Sequence, residues 1–178
     1  MSVEELSTFC RLASPMPNFR YISWPEYGNL ALALAEKVRA KGKNYDLVVG
    51  IARGGIPVAM VISDHLNVKV DFVNVKSYSD IGKRAPPRIL STLTEGIQDK
   101  DILLLDDLVD QGDTLTLMKG FLAEQKPRTL ETAVLFKKPW SKTQPDFFLE
   151  EVSEWVVFPF ELGEMGRLRS KMADDVAA

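Results

Sequence analysis

A chain of 178 residues, 46% of them hydrophobic, is long enough to form one compact domain with a buried core. One cysteine and one histidine exclude a disulfide framework within the chain and sites built from several thiolates or imidazoles, and a net charge of −3 gives no general basic surface for nucleic acid. No stretch reaches the roughly 18 apolar residues of a membrane span, and the N-terminus lacks the pattern of a secretory leader. We therefore expect a cytoplasmic protein that associates with neither membranes nor nucleic acid.

The first part of the chain predicts an arm followed by alternating helices and strands. Residues 1–20, which two prolines interrupt, are expected to form a loosely attached N-terminal arm. A strand over 46–51 is continuously apolar, as in the middle of parallel sheets, and leads into a helix over 56–66. An amphipathic helix over 25–41 precedes that strand, and its apolar positions are Leu30, Leu32, Ala33, Leu34 and Val38.

The remaining elements continue the alternation. The polar stretch 76–93 contains Gly82, Pro86 and Pro87 and is expected to be a long mobile loop. The other expected elements are strands over 68–75, 101–105, 129–137 and 154–158, and a helix over 113–125. This order predicts a doubly wound α/β fold with a mostly parallel sheet flanked by helices, in a main domain over 21–165 with a polar tail over 166–178.

Paired acids follow the strand over 101–105 and predict a sugar-phosphate site. Asp106 and Asp107 stand where open parallel sheets place ligands, and two carboxylates accept hydrogen bonds from vicinal hydroxyls. Behind them, Gly112 relieves the backbone and Thr114 adds a hydroxyl where the next helix exposes unpaired N–H groups, which suits a phosphate. A ribose 5-phosphate fits both halves. The alternative is a buried strand ending in a solvated acidic turn that caps a helix.

Arg53 and Gly54 follow the first core strand and are expected at the same edge of the sheet as Asp106 and Asp107. A cation beside a permissive backbone favours a diphosphate, although a plain glycine turn between strand and helix is the alternative. The charged stretch after residue 76 is interpreted as a lid over a polyanion, against the alternative of a solvated loop. Its candidate residues are Ser77, Tyr78, Lys83, Arg84 and Arg88.

The segment 102–114 resembles the phosphoribosyl diphosphate (PRPP) signature of the type I phosphoribosyltransferases: an apolar strand, two acids, two apolar residues, then an acid, Thr, Gly, any residue and Thr. Gln111 stands where that family usually has Thr or Ser. The resemblance implies that Asp106 and Asp107 bind the ribose hydroxyls and Mg²⁺, directly or through water. It also implies a pyrophosphate loop at Ala52, Arg53 and Gly54, often with a cis or strained peptide before Arg53, and a 5-phosphate loop at Asp110, Gln111, Gly112, Asp113 and Thr114.

Two later segments resemble the purine branch, especially the bacterial xanthine-guanine enzymes. Phe136-Lys137-Lys138-Pro139 matches a segment whose lysine, here Lys138, donates to the oxygen at purine C6. The run 155–161 matches a segment in which Trp155 would stack on the purine. In that segment, carbonyls near Val156 and Glu161 would read the exocyclic amino group of the purine. Two positions depart from the family pattern, since Val157 replaces an acid and Phe160 replaces a Trp. On the residues alone, an exposed strand end and a core tryptophan are the alternatives.

This resemblance implies a purine phosphoribosyltransferase with Mg²⁺ as cofactor, a small hood built from terminal segments, and a homo-oligomeric state, dimer or tetramer. The expected reaction transfers 5-phosphoribosyl from Mg-PRPP to N9 of hypoxanthine, guanine or xanthine in purine salvage, with Asp110 as general base or as partner of purine N7. Two alternatives stay open. One is a regulatory protein that binds PRPP or a nucleotide without turnover, and the other is an enzyme for adenine or a pyrimidine.

Overall fold

The computed structural model describes residues 18–80 and 83–163. The eight strands of that part of the chain are β1 Phe19–Tyr21, β2 Leu47–Ala52, β3 Val70–Asp80, β4 Lys83–Ile89, β5 Asp101–Val109, β6 Thr129–Lys137, β7 Phe147–Glu151 and β8 Trp155–Val157. Its three helices of more than one turn are α1 Trp24–Arg39, α2 Gly55–Leu66 and α3 Asp113–Ala123. Phe19 and Arg20, at the end of the arm expected over 1–20, pair in β1. Residues 1–17 of that arm and the expected tail over 166–178 lie outside the described residues, so both stay predictions.

Six strands form one sheet in the order β4-β3-β2-β5-β6-β7. The pairs β2–β3, β2–β5, β5–β6 and β6–β7 are parallel, and only β3–β4 is antiparallel. The chain runs from β2 outward to β3 and β4, returns to the other side of β2 for β5, and continues outward to β6 and β7. This is the predicted doubly wound, mostly parallel sheet, and the direction of winding reverses between β2 and β5.

Helices cover both faces of this sheet. Val49 and Ile51 of β2 share a buried cluster with Leu115 and Met118 of α3. Side chains alternate along a strand, so Gly50 faces the other way, and a Cβ there would lie 2.9 Å from the Cβ of Ala59 in α2. The core therefore consists of two apolar layers, one on each side of the sheet, which leaves the strand ends at the sheet's edge for polar groups.

Helix α1 forms as predicted, but its buried face differs. Glu36 Oε1 of α1 lies 2.8 Å from His65 Nε2 of α2. Leu32 is 48% exposed, and Ala33 is exposed as well, because both fall opposite the face that a 3.6-residue period defines. The buried residues are Tyr27, Ala31, Leu34, Ala35 and Val38.

The long loop expected over 76–93 is a β-hairpin over most of its length. Strands β3 and β4 pair in antiparallel fashion from Val75 with Ile89 to Asp80 with Lys83. The register shifts between Lys76 and Tyr78, so that Pro86 and Pro87 fall at the irregularity and on the edge strand of the sheet. Proline is tolerated at such places because no ladder hydrogen bond from its nitrogen is needed.

The strand expected over 101–105 continues through the acids to Val109, and strand β7, which the sequence analysis missed, lies at the other edge of the sheet. The extension has a physical basis in the β5–β6 pairing, which runs on to Val109 opposite Lys137. The pairing with β2 stops earlier, at Gly50 opposite Leu105.

The described residues 18–24 and 154–163 belong to a second compact unit, separate from the sheet unit over 25–153. Within the smaller unit, β1 and β8 pair in parallel with Phe19 opposite Trp155, and the Ile22 N–H donates to the Val157 carbonyl at 3.0 Å. The expected small unit built from terminal segments is therefore present. In neither described stretch of the chain is a helix long and apolar enough to cross a bilayer.

Candidate active site

The paired acids lie at the point where the winding of the sheet reverses. Beyond Leu105, strand β5 keeps its neighbour β6 but has lost β2, so Asp106 and Asp107 border an open crevice. Ligands of doubly wound sheets bind in such crevices, at the carboxyl ends of the strands. Both acids are partly buried, which combines access for a ligand with reduced solvation.

The loop after β2 closes one side of this crevice. A Cβ at Gly54 would lie 2.3 Å from Asp107 Oδ2 and 2.5 Å from its Cγ, so the backbone of the loop sits directly against that carboxylate. The Ala52–Arg53 peptide is cis, the geometry that the family resemblance had led us to expect. The structure thus brings the predicted pyrophosphate loop and the acidic pair together.

Electrostatics set the acidic pair apart from ordinary surface acids. Burial, and then the neighbouring charge of Asp107, raise the pKa of Asp106 well above its usual value, although its Oδ1 accepts a hydrogen bond of 3.0 Å from the Asp107 N–H. The pair therefore resists carrying two negative charges, and a cation or hydroxyl donors would favour its full ionisation.

Tyr27 of α1 belongs to this region, and the sequence analysis did not find it. It is only 2% exposed. Burial raises the pKa of its phenol, and the charges of Asp107 and Asp106 raise it further, so the hydroxyl stays protonated. Its spacing of four residues from Ala31 on the buried face of α1 is the signal that could have shown its burial, but nothing in the sequence placed it near the acids.

The loop between β5 and α3 has the backbone geometry of an anion-binding site. Gly112 adopts φ +93°, a left-handed conformation that favours glycine, and its carbonyl accepts the first helical hydrogen bond of α3 from the Thr116 N–H at 2.9 Å. No side chain caps the helix at Gly112. The amides of the first turn, at Asp113 and Thr114, therefore remain for a ligand, in accord with the predicted phosphate contacts.

The two adjacent lysines at the end of β6 have different partners. Lys137 Nζ donates to Glu151 Oε2 of β7 at 2.7 Å, so this lysine belongs to the sheet. The Lys138 N–H donates to the Val109 carbonyl at 2.9 Å, which fixes Lys138 beside the phosphate loop. Lys138, the residue to which the resemblance assigns the purine contact, is buried and lies next to the end of β5.

Trp140 joins Asp110 to Lys138. Its indole N–H donates to Asp110 Oδ1 at 2.7 Å, and the ammonium of Lys138 lies 5.4 Å from the centre of its ring. The sequence analysis did not single out Trp140, and only its place two residues after Lys138 offered a signal.

The residues predicted to bind the purine face belong to the terminal unit. Trp155 is 54% exposed, whereas Val156 is buried, and the backbone N–H of Trp155 donates to the Asn18 carbonyl at 2.7 Å. Glu161 Oε2 accepts from the Phe158 N–H at 3.1 Å, so its side chain secures the turn after β8. An exposed indole on a fixed backbone suits stacking on a base. Trp155 is therefore not a core residue, which was the alternative on the sequence alone.

Of the five lid candidates, the structure describes the side chain of Arg88 alone. Arg88 is exposed on β4, whereas the side chains of Ser77, Tyr78, Lys83 and Arg84 lie outside the described residues. Their assignment to a lid stays a prediction.

The acidic pair also fits the predicted metal. Proteins hold Mg²⁺ with one or two carboxylates together with waters and substrate phosphates. Across residues 18–80 and 83–163, no group of three or more His, Cys, Asp or Glu side chains could hold a metal ion on its own. Asp106 and Asp107 therefore suit a Mg²⁺ ion that arrives with a phosphorylated ligand.

A doubly wound sheet with paired acids, a glycine loop and an anion-binding site at its switch point is the arrangement expected of an α/β protein that binds a phosphorylated sugar. The family model described as phosphoribosyl transferase domain matches residues 23–164. The chain belongs to the phosphoribosyltransferase family, as the signature around Asp106 predicted, and is an enzyme of that class.

Individual relatives agree with this assignment. The chain is 34% identical to a xanthine-guanine phosphoribosyltransferase of Cereibacter sphaeroides, over 80% of this chain and 86% of that protein. It is 32% identical to the enzyme of the same name from Ruegeria, over 80% and 85%. The crystal structure of a purine phosphoribosyltransferase from Pyrococcus horikoshii superposes with a TM-score of 0.72 and 28% identity, over 80% of this chain and 93% of that one. The predicted resemblance to the purine branch is confirmed.

Proposed function

We propose that this enzyme transfers the 5-phosphoribosyl group of Mg-PRPP to N9 of a 6-oxopurine, releasing pyrophosphate, in purine salvage. The observation that carries the proposal is the contact of the Gly54 loop with Asp107 at the switch point, beside the loop of Gly112. This arrangement offers adjoining sites for a diphosphate, a diol and a phosphate, in the order in which PRPP presents them.

In this proposal, the sheet unit binds PRPP. Asp106 and Asp107 accept hydrogen bonds from the ribose hydroxyls, and the backbone around Arg53 receives the pyrophosphate. The 5-phosphate is bound by the amides of residues 111–114 and the hydroxyl of Thr114. Gln111 contributes its backbone amide in place of the hydroxyl that the family usually has there.

Four residues are assigned to the purine. Lys138 donates to the oxygen at C6, and an ammonium with three donors and no acceptor favours a 6-oxo over a 6-amino base. Trp155 stacks on the purine, while carbonyls near Val156 and Glu161 read its exocyclic amino group. The relatives named xanthine-guanine phosphoribosyltransferase support this substrate class.

Asp106 and Asp107 would hold magnesium, directly or through water, and the metal would supply charge neutralisation for the diphosphate. The barrier lies in departure of the leaving group from an oxocarbenium-like C1, so these residues work by positioning and by electrostatic stabilisation. Arg53 adds positive charge near the leaving pyrophosphate. Asp110 hydrogen-bonds N7 of the purine or takes up its proton as N9 forms the new bond.

The test is nucleotide formation from PRPP with hypoxanthine, guanine, xanthine and adenine, with pyrophosphate release measured in parallel. Asp110→Asn should lower turnover on the preferred base by about 100-fold, the low end for loss of a general base. Asp64→Asn, an exposed acid in α2, serves as the matched control and should leave turnover unchanged.

Three outcomes would contradict the proposal in different ways. Binding of PRPP without pyrophosphate release would favour the regulatory alternative. Activity with adenine or a pyrimidine and none with 6-oxopurines would refute the substrate class. Full activity of Asp110→Asn would remove Asp110 from its role.

A further inference from the structure

The connection after β6 contacts three consecutive residues of the phosphate loop. Trp140 Nε1 donates to Asp110 Oδ1 at 2.7 Å, the Lys142 N–H donates to the Gln111 carbonyl at 3.2 Å, and the Thr143 hydroxyl donates to the Gly112 carbonyl at 3.2 Å. We name residues 140–143 the brace. The brace therefore restrains the Asp110 side chain and the backbone of Gln111 and Gly112.

The Thr143 end of the brace is tightly packed. A Cβ at Gly112 would lie 2.3 Å from Thr143 Oγ1, so the glycine lets the brace approach the loop. Thr143 Oγ1 also lies 2.7 Å from Thr116 Oγ1 of α3. If Thr116 donates, one chain of hydrogen bonds runs from the first turn of α3 through Thr143 to the Gly112 carbonyl. The Ser141 hydroxyl donates to the Thr143 carbonyl at 2.9 Å and holds the brace in its bend.

The Trp140 end links the loop to Lys138. The Ser141 N–H donates to the Lys138 carbonyl at 3.0 Å, so the chain turns back over the strand end and carries the indole to Asp110. One side chain thereby restrains an acid by its N–H and a cation by its ring face. These two groups directly follow two neighbouring strands, β5 and β6.

We propose that the brace positions the phosphate loop and couples it to Lys138, with Thr143 acting through Gly112 and Trp140 acting through Asp110. This inference rests on the proposed function, because the positioned residues are those assigned to the 5-phosphate and the purine. Trp140 and Thr143 are positioning residues, and neither touches a substrate in this scheme.

Thr143→Val tests the phosphate end, because valine keeps the shape and removes the hydroxyl. The Kd for GMP with magnesium, measured by calorimetry, should rise about 5- to 10-fold, the usual effect of one lost hydrogen bond, and the KM for PRPP should rise with it while kcat changes less than twofold. Thr143→Ser should restore the wild-type Kd. Thr92→Val, at an exposed threonine before β5, is the matched control and should leave the Kd unchanged.

Trp140→Phe tests the other end, since it keeps the ring and removes the N–H. It should lower kcat about 5- to 10-fold with the KM for PRPP unchanged. In the Asp110→Asn background the same substitution should cost less than twofold, because the carboxylate that Trp140 positions has already been replaced by an amide that cannot act as a base. Trp140→Leu should in addition raise the KM for the 6-oxopurine, since the ring face for Lys138 is lost.

The outcomes separate this inference from the proposed function. A wild-type protein that binds no GMP and forms no nucleotide overturns both. An active wild type with an unchanged Kd in Thr143→Val, or with full additivity between Trp140→Phe and Asp110→Asn, overturns the brace alone. Thermal unfolding of each variant shows whether a loss of binding or activity is caused by misfolding. If it is, the Kd of Thr143→Ser and the double-mutant cycle of Trp140→Phe with Asp110→Asn decide whether the brace has the proposed role.

Discussion

Substituting alanine for Gly54 perturbs the site at a single contact. Gly54 has φ −58° and ψ −41°, which alanine adopts without strain, so the backbone is free to keep its path. The added methyl would lie 2.3 Å from Asp107 Oδ2, whereas ordinary van der Waals contact begins near 3.4 Å. The carboxylate and the loop must therefore separate by about 1 Å.

That displacement should reduce catalysis much more than stability. A misplacement of about 1 Å at a positioning group can cost about 100-fold in rate, and we expect a decrease of this size in kcat/KM for PRPP. Overpacking lowers the free energy of unfolding by about 1 to 3 kcal/mol in a closed core. For Gly54→Ala we expect a loss of about 1 kcal/mol, because Asp107 is only partly buried.

The assay combines steady-state kinetics with calorimetry of GMP and magnesium. GMP lacks the pyrophosphate, so a raised Kd for GMP reports the displaced carboxylate and excludes a blocked pyrophosphate loop as the sole cause. Gly120→Ala is the matched control: nothing lies within 4 Å of its Cβ position in α3, and it should retain full activity with unfolding free energy raised by about 0.5 to 1 kcal/mol. If Gly54→Ala keeps its activity within twofold of wild type, the argument that this contact fixes Asp107 is refuted.

Two further predictions concern the charged groups of the sheet unit. Lys138→Met should lower kcat/KM for 6-oxopurines by about 10- to 100-fold. The neighbouring Lys137→Met, which loses the pair with Glu151 and the contact with the Phe148 ring, should change it less than twofold, and equal losses in both variants would contradict the assignment. Burial alone would raise the pKa of Glu131, but hydrogen bonds from Lys41, Tyr45 and Lys43 outweigh it and hold that pKa at about 2. The stabilisation by Glu131 is therefore complete above the unfolded pKa of 4.5 and is lost as the pH falls towards 2. Glu131→Gln should lower the free energy of unfolding at pH 7 by on the order of 1 to 2 kcal/mol, as measured by urea unfolding. Between pH 4.5 and pH 2 the free energy of unfolding of this variant should decline less than that of the wild type.

The fold was largely predictable because its signals are local. Apolar runs such as 46–51 and 129–137 and the helical period before Leu66 identify their elements without tertiary information. The hairpin over 76–93 was missed because Pro86 and Pro87 argue against a strand, and only the edge position and the shifted register make them acceptable. The strand predicted over 154–158 is observed as β8, but its partner β1 was not predicted, because three residues carry too little pattern to identify a strand from its own sequence.

The sequence by itself determined the family, the acidic pair and the glycine loops, since these depend on residue types at fixed spacing along one strand and its turn. Tertiary structure alone decided that Gly54 rests against Asp107, that Lys137 and Lys138 have different partners, and that Trp140 and Thr143 contact the loop after β5. It also decided that Tyr27 is buried where the charges of Asp106 and Asp107 act on it. These contacts join segments that are separate along the chain, and a contact of that kind leaves no periodicity or motif in the sequence from which it could be read.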